Sequence, residues 1–115
     1  FSNLSYELLP DFSQPVVVIK TMYPGAEPHE VENTVSRKIE DALSNLEGID
    51  YMETYSLPNA SVIIVNLKYG TNLDNTMQNA QRYIDNIKNE LPNEVLSPQM
   101  SKVSPNDSPI MSISA

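Results

Sequence analysis

Tyr23-Pro24-Gly25-Ala26 joins two stretches of different hydrophobic period, and the reading of that join decides the fold. Before it, Val16-Val17-Val18-Ile19 is a consecutive β-branched run, which suits a strand with apolar residues on both sheet faces. After it, Val31, Val35, Ile39, Ala42 and Leu46 recur at steps of four and three, the pattern of one buried helix stripe. Pro24-Gly25 punctuates the end of the strand. Pro28 suits the first helical position, with Glu30 and Glu32 near the positive helix end. The join therefore reads as strand, turn, helix. The strand covers Gln14 to Met22, with Pro10 and Pro15 holding its entry extended. The helix covers Glu27 to Leu46, with Gly48 as its C-terminal stop.

Working outward, Ile49 to Ser56 reads as a second strand with Tyr51 and Tyr55 on one face. Leu57-Pro58-Asn59-Ala60 is a hairpin loop, and Ser61 to Lys68 is a third strand, again apolar on consecutive positions. Thr71 or Asn72 caps a second helix that runs to about Glu90 on a stripe of Leu73, Met77, Ala80, Ile84, Ile87 and Leu91, and Pro92 ends it. A fourth strand falls at Gln99 to Val103. The order β-α-β-β-α-β, with right-handed crossovers, predicts an α+β fold: a ferredoxin-like split βαβ sandwich with two helices on one face of a four-stranded sheet. Strands one and three form its central pair. Their consecutive apolar residues leave the second sheet face apolar as well, which marks an interface with something else.

The 115 residues make one domain, long enough to bury about two-thirds of the surface of the unfolded chain. No apolar run approaches the roughly 18 to 20 residues needed to span a bilayer. Phe1 to Pro10 lacks the basic start and cleavage pattern of a signal peptide. The chain does not begin with Met, and Ile110 to Ala115 reads as a strand cut off mid-run, so it is expected to be a piece of a larger protein. With no cysteine, disulfides, thiolate metal sites and thiol nucleophiles are excluded. Net charge is −8, from 15 acidic and 7 scattered basic residues, which argues against binding a nucleic-acid backbone.

These segments resemble the first porter subdomain of resistance–nodulation–division (RND) efflux pumps of the hydrophobe/amphiphile class. Leu9-Pro10-Asp11-Phe12 resembles the segment after the first transmembrane helix, and Tyr23-Pro24-Gly25-Ala26 the strand-to-helix turn. Glu30-Val31-Glu32, Ile39-Glu40-Asp41-Ala42-Leu43 and Leu46-Glu47-Gly48-Ile49 match the first helix and its exit. Gly70-Thr71-Asn72-Leu73-Asp74 resembles the start of the second helix. Leu91-Pro92, Lys102-Val103 and Ser108-Pro109 resemble the last strand and its continuation. Each motif alone is weak; in order and with matching spacing they are specific. Glu27 departs from the family, which often has Ser or Asp as the helix cap there.

The resemblance implies a trimeric, proton-driven pump of the bacterial inner membrane, associated with multidrug resistance, with this region in the periplasm. Its partners would be itself in the trimer, the neighbouring porter subdomains, a periplasmic adaptor and an outer-membrane channel. It implies a division of the chain into an extended segment at 1–13 that follows a transmembrane helix, a porter subdomain at 14–103, and the start of a strand into the next subdomain at 104–115. The proton-relay residues would lie in transmembrane helices outside this chain.

Two groups of residues follow as candidate sites. Asp74, Gln78, Arg82, Asp85 and Asn89 lie opposite the core stripe of the second helix at steps of four, four, three and four. By pattern alone they are a solvated helix face. The resemblance places that helix on a threefold axis, where Arg82 would meet Asp85 of a neighbouring copy. Lys20, Val62 and Ser101 fall on the sheet face away from the helices, where interdomain packing is the plain reading and the resemblance implies a substrate path. Lys20 is unusual on such a face and would suit anionic substrates. His29 is the sole histidine, and a metal site needs several convergent ligands; no metal, cofactor or catalytic residue is expected. No cluster of soft or imidazole ligands supports a metal-ion pump of the same family. A free-standing ferredoxin-like regulatory or ligand-binding domain, dimerising through its sheet, is the alternative.

Overall fold

The computed structural model describes residues 15–103. Both flanking segments of the expected division, 1–13 and 104–115, lie outside the described residues. The elements are β1 (Val16–Met22), a first helix α1 at 28–43, β2 (Ile49–Leu57), β3 (Ala60–Leu67), α2 (Leu73–Asn86), a 3-10 turn (Lys88–Glu90) and β4 (Gln99–Val103). The four strands form one sheet in the order β2-β3-β1-β4, and every neighbouring pair is antiparallel. β1 and β3 are the central pair, as the split βαβ topology requires.

Alternation along the central strands sorts the two faces. Val17, Ile19 and Thr21 of β1, and Ser61, Ile63, Val65 and Leu67 of β3, are buried. They pack under the helices with Val31, Val35, Ile39 and Leu43 of α1 and Ala80 and Ile84 of α2. The opposite set, Val16, Val18, Val62 and Ile64, is only half-buried, and Lys20 is exposed. A bulge between Ile49 and Tyr51 shifts the β2 register, so Tyr51 rather than Asp50 pairs with Asn66.

α1 differs from a regular helix. It consists of Pro28–Val31, a wide π turn at Glu32–Ser36 and Arg37–Leu43, and the Arg37 N–H reaches back to the Glu32 carbonyl. Val31, Val35, Ile39 and Leu43 are all fully buried and stand four residues apart. On a regular α-helix each such step overshoots one turn by about 40°, and the stripe would drift around the helix. The wide turn absorbs an extra residue and offsets part of that drift. Leu43 therefore takes the core position expected of Ala42, which is half-buried. The helix also ends earlier than expected: Gly48, at φ +90°, turns the chain into β2 instead of capping the helix. Leu46 still reaches the core from the connecting loop.

The cap of α2 is Asn72, whose side chain accepts the Asn75 N–H at 2.9 Å. Glu27 starts α1 without a side-chain cap bond, in keeping with a long acidic side chain being a poor N-cap. α2 ends at Asn86, short of the expected Glu90, because Ile87 leaves the helical region and a 3-10 turn follows.

Candidate functional site

The sheet face away from the helices carries the first group of candidate residues. Lys20 on β1 pairs in register with Val62 on β3 and with Gln99 on β4. Ser101 pairs with Val18, the next outward residue of β1. Lys102 of β4 reaches Asp74 on α2 at 3.2 Å, which puts Lys102 on the helix side and its neighbour Ser101 on the open side. Lys20, Val62 and Ser101 thus share one face. Tyr51 and Tyr55, each 48% exposed, stand on the same face of β2, and Tyr55 extends the Val62–Lys20 row.

A groove of about 410 Å³ runs over the β1–β4 half of this face, lined by Val18, Lys20, Met22, Leu96, Ser97, Gln99 and Ser101. It includes Lys20 and Ser101 but not Val62. Leu96 closes one end because its N–H donates to the Met22 carbonyl at 2.9 Å. Sequence reasoning missed Leu96: the loop that follows α2 has no period, and only that long-range backbone bond brings it beside β1.

The second group lies on α2. Asp74, Gln78, Arg82 and Asp85 are all exposed. Asn89 is exposed too but belongs to the 3-10 turn beyond the helix, so its step of four no longer fixes it to the same stripe. Within the chain Arg82 donates to Asn79 Oδ1 at 2.9 Å and lies 5.7 Å from the Tyr83 ring centre. Asp85 accepts from Gln81 at 2.9 Å and pairs with Lys88 at 3.3 Å. The Gln81 hydrogen bond, seconded by Lys88, holds its carboxyl below the usual aspartate range. Arg82 and Asp85 are therefore each engaged locally and not with one another. On the buried side, Thr76 joins Ala80 and Ile84 in the core, a position that a purely apolar stripe omits.

The Tyr23–Ala26 turn is fixed by the hairpin tip. Asn59, at φ 69°, accepts the Tyr23 N–H on its carbonyl (2.7 Å) and the Gly25 N–H on its side-chain oxygen (2.7 Å), and donates its own N–H to the Ala26 carbonyl (3.0 Å). Gly25 itself needs φ +83°, which costs glycine nothing. The Tyr23 hydroxyl donates to Glu30 at 2.9 Å. That bond, burial, and the negative charge of Glu30 and Glu94 all raise the phenol's pKa above its ordinary value.

A second polar cluster ties the π turn to the hairpin. Ser36 Oγ lies 2.9 Å from Ser56 Oγ and 2.8 Å from Ser61 Oγ, and Ser56 donates to Glu32 at 2.6 Å. Each hydroxyl has one hydrogen, so the chain of donors runs Ser61 to Ser36 to Ser56 to Glu32. Thr54 donates to Glu40 close by. Thr21, directly opposite Ser61 in register, has a fully buried hydroxyl with no hydrogen-bond partner.

Among the described residues no group of three or more His, Cys, Asp or Glu is placed to hold a metal ion. His29 instead meets the side chain of Asn33 at 3.1 Å. No helix among them is long and apolar enough to cross a membrane.

The model of the AcrB/AcrD/AcrF family matches residues 1–115. The chain is 32% identical over 112 residues to the swarming motility protein SwrC of Bacillus subtilis, covering 97% of this chain and 10% of the relative. It is 30% identical over 103 residues to an uncharacterized transporter of Haemophilus influenzae, covering 90% of this chain and 10% of the relative. The chain thus spans about a tenth of the length of the curated relatives it matches.

Proposed function

This chain belongs to the AcrB/AcrD/AcrF family of RND transporters, and from that premise we propose that it is an extracytoplasmic porter subdomain of a proton-driven efflux pump for amphiphilic compounds. The observation that carries the reading is the family match along all 115 residues, joined to a sheet face, apolar at Val16, Val18, Val62 and Ile64, that the helices leave uncovered. In this reading the open face of β1, β3 and β4, with Lys20, Val62 and Ser101, borders the substrate path. The outer stripe of α2 packs against two further copies at the centre of a trimer. The subdomain performs no catalysis; it moves as a rigid body against its neighbours and so opens and closes the path. Energy enters through a membrane part beyond this chain. The cargo leaves through an adaptor and an outer-membrane channel where the cell has one.

A free-standing regulatory domain would also use an apolar sheet face. It has less support, because the match to long relatives covers nearly the whole chain and only a tenth of each of them. The test is dye efflux from a host lacking its own pumps. Cells producing the full-length parent should extrude an amphiphilic dye, and collapse of the proton gradient should stop extrusion. Accumulation equal to that of empty cells would overturn the reading.

A further inference from the structure

We infer that the groove between β1 and the Leu96 loop selects anionic amphiphiles, with Lys20 as the residue that reads the charge. The inference rests on the porter reading and deepens it by naming a substrate class. Its grounds are on the open face itself. The groove, at about 410 Å³, lies within the range of small-molecule sites. Its apolar side is Val18, Met22 and Leu96, and Leu96 stays 56% exposed, so a short hydrocarbon tail laid there would cover surface that the fold leaves wet. Its polar side is Gln99 and Ser101, which offer hydrogen-bond donors next to Lys20.

Lys20 has the chemistry to anchor a negative head. The ion pairs among the described residues join Lys38 to Glu90, Lys88 to Asp85 and Lys102 to Asp74, and leave Lys20 out. Its register neighbours are Val62 and Gln99. Glu53, which pairs with Ile64 on this face, stands on β2, two strands away in the sheet. An ammonium placed beside an apolar surface repels cationic amphiphiles at contact and pairs with carboxylate, sulfate or phosphate heads, a local preference set against the negative field of a chain of net charge −8.

The experiment uses the full-length parent in a pump-deficient host, with three detergents that share one tail: dodecyl sulfate, dodecyltrimethylammonium and dodecyl maltoside. Growth inhibition is measured for the natural sequence, Lys20→Glu, Lys20→Met and Lys20→Arg at matched protein levels. Lys20→Glu and Lys20→Met should lower the tolerated dodecyl sulfate about fivefold, the scale of one partly exposed ion contact. Tolerance of the maltoside should hold, tolerance of the cationic detergent should hold or rise, and Lys20→Arg should keep the natural profile. An equal loss for all three detergents would make Lys20 structural, and no change for any would make it a bystander; either result overturns the inference while leaving the pump reading intact. A natural protein that protects against none of the three would overturn the pump reading, and the inference with it.

Discussion

Asn59 holds the turn that organises the chain. Its left-handed backbone and its side chain together satisfy groups on Tyr23, Gly25 and Ala26. Alanine there would keep the strain of a positive φ and lose the side-chain bond, for a cost of about 1–2 kcal/mol. Asn59→Gly loses the bond but relaxes the backbone and should cost about half as much. Urea denaturation of the chain checks the order, and equal midpoints for the two variants would show that the clamp is not set by the backbone. Tyr23 makes a second residue-scale prediction. Its phenol pKa is raised above 10.0, chiefly by the Glu30 hydrogen bond. The stabilisation linked to that shift is whole below pH 10.0, where the phenol is protonated in both states, and is lost as pH rises through the higher native value. Tyr23→Phe should flatten the fall in melting temperature on the alkaline side, and an unchanged slope would contradict the link.

At the scale of elements, the polar cluster under α1 is the informative feature. Ser36 sits at the end of the π turn and joins both strands of the hairpin through Ser56 and Ser61. Ser36→Ala would strand the buried Ser61 hydroxyl and should destabilise by about 1–3 kcal/mol. Thr21 carries the opposite expectation. Its buried hydroxyl has no hydrogen-bond partner, so Thr21→Val replaces an unsatisfied group with a methyl of similar size in a strand that favours valine. That variant should be more stable by about 1 kcal/mol; a loss of stability would point to a partner that the hydroxyl finds in solution. The same cluster shows where sequence reading stops. The strands, the hairpin and both helices follow from local period and from Gly and Pro punctuation, because those signals are short-range, and the sheet order follows from the element order and the handedness of crossovers. The π turn does not. It answers to a four-residue apolar spacing that a regular helix also tolerates, and to hydroxyls that meet only after β2 and β3 fold under α1. Likewise the open-face row of Lys20 and Val62 was legible from alternation, whereas Leu96 joined the groove through a backbone bond that leaves no pattern in the sequence.

At the scale of the whole molecule, the fold has one finished face and two candidate interfaces. The helix side is closed by packing; the open sheet face and the outer stripe of α2 are the surfaces left for the proposed contacts, and the relatives that the chain matches are about ten times as long. On the stripe, Arg82 stands among Asp74, Gln78 and Asp85. Three copies brought together there would crowd like charges without it, so Arg82→Glu in the full-length parent should weaken the proposed trimer in native electrophoresis and lower efflux with it. Arg82→Lys should retain most of both, and an unchanged trimer and efflux in Arg82→Glu would remove α2 from the assembly interface. The open sheet face is proposed to border the moving substrate. This is tested most directly by placing one cysteine at Val62, in a full-length parent stripped of other cysteines, and attaching a bulky membrane-impermeant maleimide. The reagent should react from outside the cytoplasm, a transported amphiphile should slow the reaction, and the attached group should stop efflux, while the same label at exposed Glu90 should not. Full efflux with Val62→Cys quantitatively labelled would contradict it.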